Sequence, residues 1–302
     1  LLLSCAVCFA FEFLYEKEGV YYYKTDDGHI ISKAMQKRRS GLVLIHQERD
    51  GKRKYYQAPD EKIVVGEVVG GVLSNTPDYD WWYGCAPTAA GMIMGYYDTH
   101  GYQDLFYNNL VPGGTAEPST FGGGPYIAND TIASQAHIED YYVAYGETGD
   151  PAAGGHSDNC LADFMETSKD SADNSDGATT FYYYQSGTRF KPKTIEDLGL
   201  ENKSGMYGIK EWVEHNGYTY ETLYNRYIDS VANDTGITFA DFKAEIDAGR
   251  PAILHLEGHS MVAYGYTEPD TVYVHDTGSA GEHTMTWGGP IVLELTASPI
   301  GP

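Results

Sequence analysis

Small residues crowd the stretch after Cys85. Ala86, Ala89, Ala90, Gly91 and Gly95 fall at mixed helical spacings, so a helix from Cys85 to Tyr96 or Tyr97 is expected to pack on several sides rather than lie on a surface. Pro87 fixes where it begins, because proline is tolerated only in a first turn, where its missing N–H leaves no bond unmade. A second helix signal lies downstream: Thr238-Phe-Ala-Asp reads as a capping-box start, Phe239, Phe242 and Ile246 recur on one face, and Gly249 and Pro251 end it. Three strands follow. Ala252 to Leu256 is a buried apolar run. In Ser260 to Tyr266, period-two alternation puts His259, Met261, Ala263 and Gly265 on one face and Val262 and Tyr264 on the other. In Thr271 to His275, Val272, Val274 and Asp276 share a face, and Tyr273 and His275 take the opposite one. The pattern predicts an α+β fold with the Cys85 helix packed against an antiparallel sheet.

The chemistry sits on these elements. At a helix start, unpaired amides and the positive end of the dipole favour thiolate over thiol, which makes Cys85 a candidate nucleophile. His259 is the candidate base. Asp276 can approach His259 across paired strands and orient its ring, whereas His275 next door should point away. The bland alternatives are an inert buried thiol at Cys85 and a satisfied core histidine at His259. A zinc reading of His255, Glu257 and His259 fails, because the metalloprotease motif needs its two histidines one turn apart on a helix.

The Gly84-Cys85-x-Pro87-Thr-Ala-Ala-x-Met92 block, Gly249-Arg-Pro-Ala252 and Gly258-His-Ser-Met-Val-Ala-Tyr-Gly-Tyr266, with an aspartate after a further strand, resemble bacterial papain-like cysteine peptidases. The relatives are those of the double-glycine leader peptidases of bacteriocin exporters, in the secreted C39-like branch. The resemblance is strongest over residues 77–98 and 249–276. It implies a papain-like fold, a Cys85–His259–Asp276 triad and cleavage of peptide or isopeptide bonds through a thioester. The run His156-Ser-Asp-Asn-Cys160-Leu-Ala-Asp163-Phe-Met165 also resembles secreted members, without suggesting a mechanism. Two departures stand out. Family members carry an oxyanion-hole glutamine six residues before the nucleophile, where this chain has Tyr79. The side chains of Tyr79, Trp81 and Trp82 and the backbone N–H of Cys85 are therefore the oxyanion candidates; losing one such donor costs about a hundredfold or more in rate. The tryptophan that papain relatives place close behind the acid is here no nearer than Trp287. The missing glutamine motivates an alternative function, a non-catalytic binding or adhesion protein on a degenerate peptidase fold, in which Cys85 pairs with Cys160.

Composition narrows the partners. A formal charge of −23 disfavours nucleic acid and anionic membranes, and 27 tyrosines and 35 glycines suit loop-walled clefts for a peptide or peptidoglycan-like substrate. Residues 1–14 form an apolar run too short to span a bilayer and are expected to be a signal-peptide remnant, which implies a secreted or cell-surface protein. Cys5, after Leu2-Leu3-Ser4, is a loose match to a lipid-anchor box. Residues 15–62, with strand candidates at Val20 to Lys24 and Leu42 to His46 and a basic cluster from Lys33 to Lys54, form either an intramolecular propeptide or an accessory strand segment ahead of an acidic catalytic domain, 63–302. Gly- and Pro-rich stretches at 112–125 and 146–155 read as cleft-walling loops. The acidic run from Asp158 to Asp176 invites calcium, but Ala172 stands where a calcium loop needs its first aspartate. No residue is assigned to a metal or cofactor.

Overall fold

The computed structural model describes residues 71–101, 110–111, 127–141, 156–184, 186–220, 222–228, 237–256, 258–279 and 281–287, and ahead of them the backbone course of seven short strands. β1 spans Leu2–Ser4. Next come β2 (Glu12–Lys17), β3 (Val20–Lys24), β4 (Ile30–Ala34), β5 (His46–Arg49) and β6 (Lys52–Lys54), an antiparallel meander paired in chain order. The strand expected over Val20 to Lys24 is β3, and of the one expected over Leu42 to His46 only His46 is described, in β5. Cys5 and the loops at 112–125 and 146–155 lie outside the described residues.

The main sheet takes in β1 and, off its central path, the pair β7 (Val68–Val69) and β8 (Val72–Leu73). The helices are α1 (Cys85–His100), α2 (Ile127–Ile132), α3 (Gln135–Tyr141), α4 (Leu161–Phe164), α5 (Pro192–Leu198) and α6 (Gly205–His215). After β9 (Asn225–Tyr227) and α7 (Phe239–Asp247) come β10 (Ala252–Leu256), β11 (His259–Thr267), β12 (Thr271–His275) and β13 (His283–Thr286). The antiparallel order is β13-β12-β11-β10-β1-β9, and β8 also pairs with β11. This is the expected α+β class. The Thr238 capping box is present: its hydroxyl accepts the Asp241 amide and the Asp241 carboxylate accepts the Thr238 amide.

Helix α1 is the centre of the core. Every residue from Ala86 to Asp98 is buried, as its crowding of small residues predicts. It runs one turn further than expected. The extra turn carries polar groups with local partners: the Asp98 carboxylate accepts the Leu110 and Val111 amides at 3.0 and 2.8 Å, and the His100 ring meets the Tyr96 carbonyl at 2.9 Å. Gly101, at φ 67°, ends the helix. Two glycines let neighbours approach closely. A Cβ on Gly91 would stand 2.7 Å from Ile132, and one on Gly95 would stand 2.2 Å from the Tyr79 hydroxyl.

One detail of β11 departs from simple alternation. A bulge between Ala263 and Gly265 shifts the register by one residue. Ala263 faces Val274 and Tyr266 faces Val272, so Tyr266, not Gly265, continues the face of His259, Met261 and Ala263. The freed aromatic edge packs on Phe239 of α7. Trp287, expected as a core aromatic or a cover for the acid, stacks on Phe242 and lies tilted against Phe239, so the core role is the one described. Among the described residues no helix is long and apolar enough to cross a membrane.

The Gly95 contact generates a test. Gly95→Ala is expected to destabilise the protein by about 1–3 kcal/mol through overpacking. Tyr79→Phe in the same chain should recover part of that loss, because it removes the atom the new methyl strikes. Denaturant unfolding of the two single variants and the double variant measures the coupling; strictly additive losses would disprove the contact.

Candidate active site

Cys85 is the first residue of α1. Gly84 before it adopts φ 151°, and a Cβ there would stand 2.9 Å from Pro87 and 3.0 Å from the Gly177 carbonyl. The Gly84 carbonyl accepts both the Thr88 amide and the Thr88 hydroxyl, at 3.2 and 2.7 Å, and the Thr88 hydroxyl also accepts the Trp82 amide at 3.1 Å. Pro87 therefore sits inside a first turn whose amides need no helical partner.

The thiol meets the start of β11. Burial pushes the Cys85 thiol up from its ordinary value, and the groups that oppose burial are the Ser260 amide and hydroxyl, then the amides of Ala86 and Cys85 itself. The expectation that the helix terminus makes Cys85 a ready thiolate is corrected here: desolvation outweighs the donors. Ser260 follows His259 directly, so the sulfur meets β11 at the residue next to His259. Ser260 had no place in the sequence reading. The signal was present, since a small polar residue alternates with His259, but only the tertiary structure places it against the sulfur.

Beside Ser260 lies His255. Its Nδ1 is 2.8 Å from the Ser260 hydroxyl oxygen, its ring lies on Phe181 with centroids 3.8 Å apart, and burial pushes it down to about 3. It is a neutral core histidine whose polar contact is the serine that touches the nucleophile.

His259 is half-buried at the mouth of the β10–β11 hairpin, after Gly258 at φ 74°. Val274 faces Ala263 and His275 faces Val262; Asp276 comes one residue beyond β12, where strict alternation would set it on the face of Met261 and His259. His275 takes the other face, stacked on Tyr264 at 4.2 Å and 3.5 Å from the Asp78 carboxylate.

The Asp276 carboxylate, however, is engaged by its own turn. Oδ1 accepts the Gly278 and Ser279 amides at 2.8 and 2.7 Å, and Oδ2 accepts the Ser279 hydroxyl at 2.8 Å. The hydrogen bonds among the described residues include none between Asp276 and His259. Burial works to raise the Asp276 carboxyl, but the Ser279 and Gly278 donors outweigh it and hold the group below the usual carboxylate range. The turn is anchored in place: the Thr277 hydroxyl donates to the Ser260 carbonyl at 2.8 Å.

The oxyanion candidates separate. The Tyr79 hydroxyl lies against Gly95, ten residues along α1 from Cys85 and so roughly 15 Å down the helix; it is not beside the nucleophile. The Trp82 indole N–H is occupied by the Ala133 carbonyl at 3.0 Å. Trp81 packs on Gly177, next to Gly84, and the Cys85 N–H belongs to the first turn. Of the four candidates, the Cys85 N–H is the one that acts on the thiol. Cys85 and Cys160 are both free thiols, so the disulfide of the alternative reading is not formed. The acidic run of Asp158 to Asp176 also resolves into separate pairings. Asp158 and Glu166 face Lys169, Asp173 faces Lys203, and Asp163 faces two histidines. These carboxylates do not converge on one calcium-sized centre.

With this geometry in hand, comparison with known proteins gives one match: residues 178–289 fit the model of the Peptidase_C39 like family. The matched segment contains His255, His259, Ser260 and Asp276, and Cys85 precedes it. No curated protein and no solved structure matches the chain. The family match agrees with the resemblance read from the sequence. Together with helices packed on an antiparallel sheet, it makes the fold α+β and papain-like and suggests cysteine-peptidase chemistry.

Two measurements probe the site. Iodoacetamide should modify Cys85 before Cys160, because burial and the Asp163 charge push the Cys160 thiol up to about 12. Ser260→Ala should slow Cys85 labelling near neutral pH and move its pH profile upward, while an unchanged profile would remove Ser260 from the thiol's surroundings. The second concerns Asp276. Its folded pKa is depressed, so its stabilisation is complete above the unfolded value of about 3.9 and is lost as pH falls through the lower folded value. The stability gap between the native chain and Asp276→Asn should be flat near neutrality and shrink below about pH 4.

Proposed function

We propose that this C39-like chain is an exported cysteine peptidase, acting at the cell surface or outside it on a peptide, isopeptide or peptidoglycan-like substrate. The observation that carries the reading is the meeting of Cys85, first residue of a buried helix, with the β11 residue next to His259. That contact joins the nucleophile to the segment matched by the family model.

In this reading the imidazole of His259 rotates on its half-exposed hairpin mouth to face the sulfur. It takes the thiol proton, and the thiolate attacks the scissile carbonyl carbon. The oxyanion forms beside the Cys85 N–H, with the Trp81 indole as the side-chain donor in place of the absent glutamine. Collapse expels the amine, which receives the proton from His259, and leaves a thioester on Cys85. Water, deprotonated by His259, then hydrolyses it. The role of Asp276 is to hold the ring and its charged form through the second lone pair of Oδ2. A raised thiol pKa makes that base obligatory, since little thiolate exists before substrate arrives. Residues 15–62 act as an intramolecular propeptide in this scheme.

A second reading rests on the Asp276 carboxylate being held by its own turn and on the missing glutamine: a binding protein on a degenerate peptidase fold. One experiment separates the two. A peptidyl vinyl sulfone requires an assisted thiolate, so it should modify Cys85 in the native chain. Its rate should fall at least a hundredfold in His259→Ala and to a smaller degree in Asp276→Ala, and His275→Ala should retain it. A rate unchanged by His259→Ala would support the binding protein. Loss in His275→Ala with retention in Asp276→Ala would assign the third residue differently.

A further inference from the structure

A second group of reactive side chains plays no part in that site. Asp163, on α4, is completely buried, and several groups converge on its carboxylate. His137 Nδ1, from α3, lies 2.7 Å from Oδ1. His156 Nε2 lies 3.0 Å from both Oδ1 and Oδ2, and the Asn159 amide donates to Oδ2 at 3.0 Å. Cys160, the residue before α4 and also fully buried, brings its thiol to the same place. The Cys160 sulfur, a ring nitrogen of His137 and an Asp163 oxygen all lie within 4.8 Å of one another.

A buried carboxylate needs compensation, but one protonated imidazole supplies it. A second imidazole and a thiol directed at the same oxygens go beyond charge balance. Two imidazole nitrogens, a sulfur and a carboxylate are the mixed donor set of a thiophilic divalent cation, and four protein donors make a closed, structural site. Metal–ligand bonds of about 2.0–2.3 Å in a tetrahedron put donors about 3.3–3.6 Å apart. His137, Cys160 and Asp163 already lie within 4.8 Å of one another; His156 stands outside that group, 3.0 Å from Asp163, and must swing inward to complete the tetrahedron. The surroundings fit too. His156 Nδ1 lies 2.7 Å from the Asp140 carboxylate, the arrangement that orients metal-bound histidines. Nε2 of His137 is buried without a hydrogen-bond partner, so the ring's polar connection runs through this cluster.

We propose that His137, His156, Cys160 and Asp163 bind one zinc ion, or another thiophilic divalent cation, as a structural site. Binding replaces the Cys160 S–H bond with a sulfur–metal bond and releases that proton to solvent together with the proton of the imidazolium that had compensated Asp163, so that both imidazoles bind as neutral rings. The ion ties α3, the segment at 156–160 and α4 into one unit. Leu161, next to Cys160, packs with Ile132 where a Cβ on Gly91 would stand, so the unit braces the flank of the nucleophile helix. This also supplies a role for the run from His156 to Asp163 that is independent of the thiol chemistry at Cys85.

The test uses the full chain carrying Cys5→Ser, Cys8→Ser and Cys85→Ser, which leaves Cys160 as its one cysteine, purified metal-free under reducing conditions. Titration with Co²⁺ should give one equivalent bound, tetrahedral d–d absorption and a thiolate-to-cobalt charge-transfer band that can arise only from Cys160. One equivalent of Zn²⁺ should erase the spectrum. His137→Ala and His156→Ala should weaken binding at least tenfold, and Asp140→Asn by about 10–100-fold. A folded chain that shows no thiolate band overturns the proposal, and so does stoichiometric binding that survives His137→Ala and His156→Ala. If those variants fail to fold, the band in the parent chain decides alone.

Discussion

Burying a helix on all sides while leaving its first residue reactive is the constraint on which this structure turns. From Ala86 to Asp98 nothing of α1 faces water, so each neighbour must approach within side-chain contact of a helix with little bulk of its own. Small residues make that approach geometrically possible: Ile132 occupies the space beside Gly91 and Tyr79 the space beside Gly95. Burial also removes the solvent that would otherwise satisfy the helix ends. The C-terminal turn uses Asp98 and His100 for local bonds, and the N-terminal turn keeps its unpaired amides beside the Cys85 sulfur.

The same burial governs the electrostatics. A helix terminus alone would favour the Cys85 thiolate, yet desolvation is the larger effect and the thiol is raised despite four nearby donor groups. Ser260 is the chief counterweight. It reaches the sulfur through both amide and hydroxyl, and it is backed by His255, a histidine so thoroughly desolvated that it stays neutral. Asp276 shows the opposite balance: amide and hydroxyl donors in its own turn overcome burial and keep it ionised. Thr277 ties this turn to the Ser260 carbonyl, so the acid's loop is bonded directly to the strand facing the thiol.

Much of this was legible in the residues. Pro87 located the start of α1, Thr238 and Asp241 marked the start of α7, and period-two alternation set His275 off the face of Val272 and Val274. These signals are local: a missing N–H, a side-chain cap and the pleat of a strand depend on neighbours a few positions away. The alternation failed where a local rule had to, at the bulge after Ala263, because an inserted residue is set by what the two strands pack against.

What the sequence determined by itself was therefore the elements, their order and the residue types able to do thiol chemistry, since each follows from short-range sterics and side-chain chemistry. Tertiary structure decided the rest. It carried Tyr79 to Gly95 and the Trp82 indole to Ala133, away from the oxyanion duty their nearness in sequence suggested. It set Ser260 against Cys85, gathered His137, His156 and Cys160 around the Asp163 carboxylate, and raised the thiol that helix polarity alone would have lowered. Desolvation and cross-chain contact arise from the whole packed chain, and no spacing along it encodes them one residue at a time.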